Sequence, residues 1–284
     1  MHPILAQAKS IAREIAPPVV RRMWRRARAG VRREWIYQPE GWAIVDAKLT
    51  GWDVEGVVQA EIARWPAFIS MLSAPGPVGT SHETLSIGSA NLASHNTHTC
   101  FAYVLARASR QRNAASMLDW GGGIGHYYQL ARALVPELSL AYTCKDLPRM
   151  VRAGRQLQPA LRFVDTEAEA LDRKYDLVMA SGSLQYSRDW QRVVHALADA
   201  TSGPLYLTRL PIVEEGASFV VRQRTQRYGY AAEYLAWCLS RTEFLDCVAG
   251  TGMRLEREFV IDETIVAAGA PDPVGCRGFL FQPA

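Results

Sequence analysis

A chain of 284 residues, 49% hydrophobic and 21% charged, is ordinary for a soluble globular protein, and this composition excludes extensive disorder. Five scattered cysteines without a C-x-x-C pair exclude a disulfide framework and a structural zinc, and point to a reducing cytoplasm. The net charge of +4 is uneven, because residues 1–33 hold nine cations against Glu14, a balance of +8, and the remainder carries −4.

The first 40 residues read as basic and helical, broken at Pro17-Pro18, where one helix must end. Such an end could attract anionic lipid head groups, lipid-linked intermediates or RNA, or simply form a solvated face. The acidic body argues against a nucleic-acid channel through the active site. No run of about 18 apolar residues could span a bilayer, and the amino terminus lacks the pattern of a secretory signal. Gly41-Trp42 and Gly51-Trp52-Asp53 come next, and Val54 to Trp65 has helical periodicity. A Gly-, Pro- and Ser-rich loop over 73–89 reads as a cover. Residues 94–110 form another helix, with Phe101, Val104, Leu105 and Ala108 on one stripe.

From 115 onward, short apolar runs alternate with helices, the signature of a parallel, doubly wound sheet. The runs are Ser116–Asp119, Leu138–Thr143, Leu161–Val164, Tyr175–Ala180 and Pro204–Arg209, with helices from near His126, Leu147 and Asp189. An insertion at about 212–250 is expected to contain an aromatic helix over 232–248, with strands Arg254–Ile261 and Arg277–Gln282 closing the chain. The expected fold is α/β: a helical cap over 1–112 above a Rossmann-like, seven-stranded, mostly parallel sheet in 113–284.

Between the first run and its helix lies Asp119-Trp-Gly-Gly-Gly-Ile-Gly125. A dinucleotide fingerprint G-x-G-x-x-G fails in both registers, since its third glycine falls on His126 or Tyr128. No lysine follows to make a P-loop. An acid two residues before alternating glycines suits a ligand with an ammonium group and no pyrophosphate. S-adenosylmethionine is such a ligand. Here the chain resembles the class I methyltransferases, whose first motif looks like Leu118 to Gly125. Asp146, after the next run, matches the acid such enzymes set against the ribose hydroxyls, with Leu147 beside it. Asp165 matches an adenine contact. Ser181, Gly182 and Ser183 should face the cofactor at the strand ends, together with Asp119, Trp120, Gly121, Gly122, Gly123 and Gly125.

The likeness extends through Pro17-Pro18, Gly51-Trp52-Asp53, His95-Asn96, Phe101-Ala-Tyr-Val-Leu105, Ser181-Gly-Ser-Leu-Gln-Tyr186, Arg209-x-Pro211, Gln223 and Glu243-Phe-Leu245. Together these resemble a bacterial methyltransferase family associated with surface-polysaccharide or secondary-metabolite loci. One departure stands out: related O-methyltransferases carry a base histidine in a Leu-His pair, where this chain has Leu184-Gln185. The catalytic candidates are therefore His126, at a helix start where the dipole favours the neutral ring, His95 and Tyr186. His98, Gln185 and Arg209 are candidate substrate contacts, and no metal site is expected. The expected activity is methyl transfer from S-adenosylmethionine to a hydroxyl of a sugar or secondary metabolite. Nitrogen or carbon acceptors, and a non-catalytic binding partner of the same fold, stay open. A nucleic-acid acceptor is disfavoured, because the Asn/Asp-Pro-Pro-Tyr/Phe signature is absent.

Overall fold

Strand β1 (Trp35–Gln38) precedes two long helices, α1 (Glu55–Leu72) and α2 (Leu92–Ala108). An alternating run follows: β2 (Ala114–Trp120), α3 (His126–Leu134), β3 (Ser139–Lys145), α4 (Pro148–Leu157), β4 (Arg162–Val164) and the short α5 (Glu167–Ala170). It continues through β5 (Leu177–Ser181), α6 (Trp190–Ala200) and β6 (Leu205–Val213). A hairpin of β7 (Phe219–Arg224) and β8 (Glu233–Ser240) leads through α7 (Arg241–Ala249) to β9 (Met253–Ile265). The two-residue β10 (Ala267–Ala268) and β11 (Val274–Pro283) complete the chain. This computed structural model describes residues 34–44, 49–79, 91–110, 112–225, 228 and 230–284. The basic segment 1–33 and residues 80–89 of the expected cover loop lie outside the described residues.

The main sheet has the order β4-β3-β2-β5-β6-β11-β9. Strands β2 to β6 pair in parallel, and β11 runs antiparallel to both β6 and β9. These seven strands match the expected mostly parallel sheet, and β8, β7, β1 and β10 extend it from β6 to eleven strands. Its strands are apolar on both faces, so neighbours in sequence serve opposite cores. Leu118, Val178, Leu205 and Leu207 pack with Trp190, Val194, Leu197 and Phe244 from α6 and α7. Met117, Leu177, Met179 and Tyr206 pack on the other side with Phe101, Val104, Leu105 and Leu130 from α2 and α3. Strand order reverses at β2, which has β3 on one side and β5 on the other. A crevice for ligands opens at the carboxyl ends beside such a reversal.

Two expectations are corrected. Residues 35–38 are a strand and do not continue a basic helix, because β1 pairs antiparallel with β7. The insertion is chiefly a hairpin: residues 233–240 are strand β8, and the helix occupies only 241–249. Strand β8 pairs with β7 along one edge and with Ile212 and Val213 at the end of β6 along the other. It is buried on both faces, so it lacks the polar alternation of a half-exposed strand. The spacing of Tyr234 and Trp237 therefore mimics a helix. Among the described residues, no helix is long and apolar enough to cross a membrane.

Candidate functional site: a cofactor crevice under a helical cap

A cavity of about 540 Å³ opens at the strand ends, a size typical of small-molecule sites. Its floor is the β2–α3 turn. Gly121, Gly123 and Gly125 all have left-handed backbone, with φ of 77°, 62° and 90°. A Cβ on Gly121 would strike Ser183, and one on Gly122 would come within 2.5 Å of the Asp119 carboxylate. Gly123 is different: a Cβ there would meet only His126 Nδ1, at 3.7 Å. The turn is thus packed tightly from below and bare where it faces the cavity, as a cradle for a ligand requires.

Asp119 is not among the cavity walls. Its carboxylate is wholly buried beneath the turn and accepts a hydrogen bond from the Tyr142 hydroxyl. Burial pushes its pKa up to about 7, with the nearby Asp146 carboxylate adding to the rise and the Tyr142 bond opposing it. The structure places this acid under the loop and not on the cavity wall. Asp146 does line the cavity. Its oxygens accept from Gly123 N at 2.7 Å and Leu147 N at 2.6 Å, and burial raises its pKa. A carboxylate has about four acceptor sites, so two more donors can be taken. Trp120, Leu147, Ser181, Gly182 and Ser183 are also walls, and Ser183 Oγ donates to the Trp120 carbonyl at 2.6 Å. Asp165 is not a wall: it follows β4, two strands away from β2.

The cap brings further groups. His126 opens α3, and its Nε2 lies 3.5 Å from Glu61 Oε2 of α1; both side chains are more than nine-tenths buried. Trp65 and Phe68 hold the imidazole edge-on, with centroids at 5.3 and 4.8 Å. His98 of α2 is buried against the cavity with Nδ1 2.6 Å from the Val78 carbonyl. A carbonyl only accepts, so Nδ1 carries the proton and the neutral ring has its lone pair on Nε2. Beyond it, Tyr127 Oη is 2.7 Å from Ser181 Oγ.

His95 is not a wall, because the buried stripe of α2 runs through Thr97, His98, Phe101, Val104 and Leu105. One residue past the cavity-lining Ser94, it is turned about 100° around the helix. Gln185 is likewise buried away from the cavity: in the 3₁₀ turn Leu184–Tyr186 it points into the core while Tyr186 faces the site. Tyr186 donates to Gln223 Oε1 at 2.8 Å and meets Trp52 and Tyr234 edge-on, and those two stack at 4.1 Å. Arg209 lines the cavity from β6 with a left-handed φ of 54°, and its Nη2 lies 3.6 Å from Glu263. The register of β11 on β6 shifts near this point, between Arg277 and Phe279.

Sequence reading missed Glu61, Lys145, Trp42 and Tyr234 as walls. Lys145 Nζ sits 4.6 Å over the Trp120 ring, a pairing visible only across β2 and β3. For Glu61 the signal existed: it is an acid on the apolar stripe of Val57, Val58 and Trp65.

A methyltransferase-domain model matches residues 92–258, more than half of the chain. The chain belongs to that methyltransferase-domain family. It is a class I S-adenosylmethionine-dependent methyltransferase. No curated protein matches it in sequence. Among solved structures it is similar to an S-adenosylmethionine-dependent methyltransferase from Clostridium acetobutylicum, at 10% identity over 66% of this chain and 92% of that one, TM-score 0.47. A sarcosine dimethylglycine methyltransferase from Galdieria sulphuraria matches at 16% identity over 67% of this chain and 86% of that one, TM-score 0.47. The magnesium protoporphyrin IX methyltransferase from Synechocystis matches at 13% identity over 83% of this chain and 100% of that one, TM-score 0.48.

Proposed function

We propose that this enzyme methylates a hydroxyl of a small molecule, a sugar or secondary metabolite, with His98 receiving the acceptor's proton. The observation that carries this reading is the His98 imidazole at the cavity wall, whose Nδ1 is committed to the Val78 carbonyl. With Nδ1–H donated to that carbonyl, the neutral tautomer carries its lone pair on Nε2, the form that accepts a hydroxyl's proton. In the cofactor half, the glycine turn with its bare Gly123 would take the aminoacyl end and Asp146 the ribose hydroxyls. The cofactor supplies an electrophilic methyl on a sulfonium. The chain's own contribution is to hold the acceptor oxygen about 3 Å from that methyl, in line with the sulfur. His98, Tyr186 and Arg209 bound the acceptor half, and a carboxylate or phosphate on the acceptor would suit the Arg209 fork.

The test is transfer of an isotope-labelled methyl to panels of hydroxyl and amine acceptors. Labelled ethers and a fall in kcat on the order of 10²-fold for His98→Gln, with unchanged cofactor KM, are expected. Labelling of amines alone, untouched by His98→Gln, would overturn the hydroxyl reading in favour of nitrogen, since an amine can enter already neutral.

A further inference from the structure

Helix α4 begins two residues after Asp146, and it begins without a cap of its own. Leu147 holds the N-cap position with an apolar side chain, and Pro148 has no N–H, so Arg149 supplies the first helical amide. That amide donates to Asp53 Oδ1 at 3.2 Å, across 96 residues of chain. The Arg149 guanidinium reaches back to the first turn of α1, with Nη1 3.1 Å from Glu55 Oε2. Asp53 ends a short strap. Gly51 N donates to the Glu233 carbonyl of β8 at 3.2 Å, and the Trp52 ring stacks on Tyr234 of the same strand. Gly51, Trp52 and Asp53 all line the cavity, so the strap ties β8 to the start of α4 along the cavity wall.

We propose that Asp53 is a positioning residue for the cofactor: by capping α4 from the strap, it fixes the Asp146-Leu147 turn that receives the ribose. The inference rests on Asp146 taking the ribose hydroxyls. The turn is then held at three amides, because Asp146 itself accepts from Gly123 N at 2.7 Å and Leu147 N at 2.6 Å. Those two bonds draw on the Asp146 oxygens. The third is supplied by Asp53 and leaves the remaining Asp146 lone pairs to a ligand. An acid at a helix start is also favoured by the helix dipole. The two carboxylates feel each other: burial raises the Asp146 pKa, and the Asp53 charge adds to the rise. Asparagine at position 53 would keep the cap without that repulsion. Asp53 lies outside the matched residues 92–258, so the cap region takes part in shaping the cofactor site.

Calorimetric titration of the full chain with S-adenosylhomocysteine tests this. Asp53→Ala should weaken binding by about 5-fold, and Asp53→Asn, which still accepts from the Arg149 amide, should stay within about 2-fold of wild type. A second pair of probes, adenosine and its dideoxy analogue lacking both ribose hydroxyls, separates positioning from general loosening. Asp53→Ala should weaken adenosine and leave the dideoxy analogue unchanged, which also reports a folded site. Equal affinity of wild type and Asp53→Ala for S-adenosylhomocysteine, equal losses for both nucleosides, or a loss in Asp53→Asn as large as in Asp53→Ala would each overturn the assignment. A wild type that binds S-adenosylhomocysteine but does not prefer adenosine to the dideoxy analogue would instead strike the Asp146 reading beneath it.

Discussion

Asp119 shows how much of a residue's surroundings the sequence leaves out. Its position before three glycines marks the turn, yet what the turn needs from it is support from below. There the carboxylate sits with Tyr142 and under Gly122. Its folded pKa of about 7 lies above the 3.8 of an ordinary aspartate, so the folded protein holds that proton more tightly than the unfolded chain. Stability from this site is therefore full at low pH and is lost as pH rises through about 4 to 7. Asparagine fits the same space and never ionises. The melting temperature of Asp119→Asn relative to wild type should improve by a few degrees between pH 5 and pH 8. A difference that does not vary with pH would contradict the buried-acid account. Asp146 and the serines after β5 were legible because local chain order alone fixes them at the strand ends. Glu61 and His126 were not legible as a pair, since 65 residues of chain separate them and only packing of α1 on α3 unites them.

At the scale of elements, the parallel run was readable because each strand is a short apolar block closed by a turn. The hairpin was not, because β8 is buried on both faces and carries aromatics at a spacing a helix would also permit. Strand β6 has a further feature hidden from sequence: Arg209 adopts a left-handed conformation where the β11 register shifts. Such a bulge turns a side chain out of the strand's regular alternation and costs about 1 kcal/mol or more for a residue other than glycine. Asparagine tolerates the same conformation without the guanidinium. Arg209→Asn should leave stability within about 1 kcal/mol of wild type. It should lower kcat/KM for an anionic acceptor by about 10-fold or more, with cofactor affinity retained. Unaltered turnover across charged and neutral acceptors would show that the bulge serves packing only.

Over the whole molecule, a sheet of methyltransferase topology offers its strand ends, and helices α1 and α2 close over them. The acceptor is the part least legible in sequence, because the half of the cavity proposed for it is assembled from α2, the turn after β5, and β6, which are far apart in the chain. The residues proposed for the cofactor are concentrated in one turn and one following strand, so a single motif was enough to propose them. The most direct test is a crystal structure of the full chain with S-adenosylhomocysteine. The account predicts the ribose hydroxyls on Asp146 and the aminoacyl arm over Gly121 and Gly123. A ligand bound elsewhere, or lying in the crevice with its amino acid end turned away from the glycine turn, would contradict it.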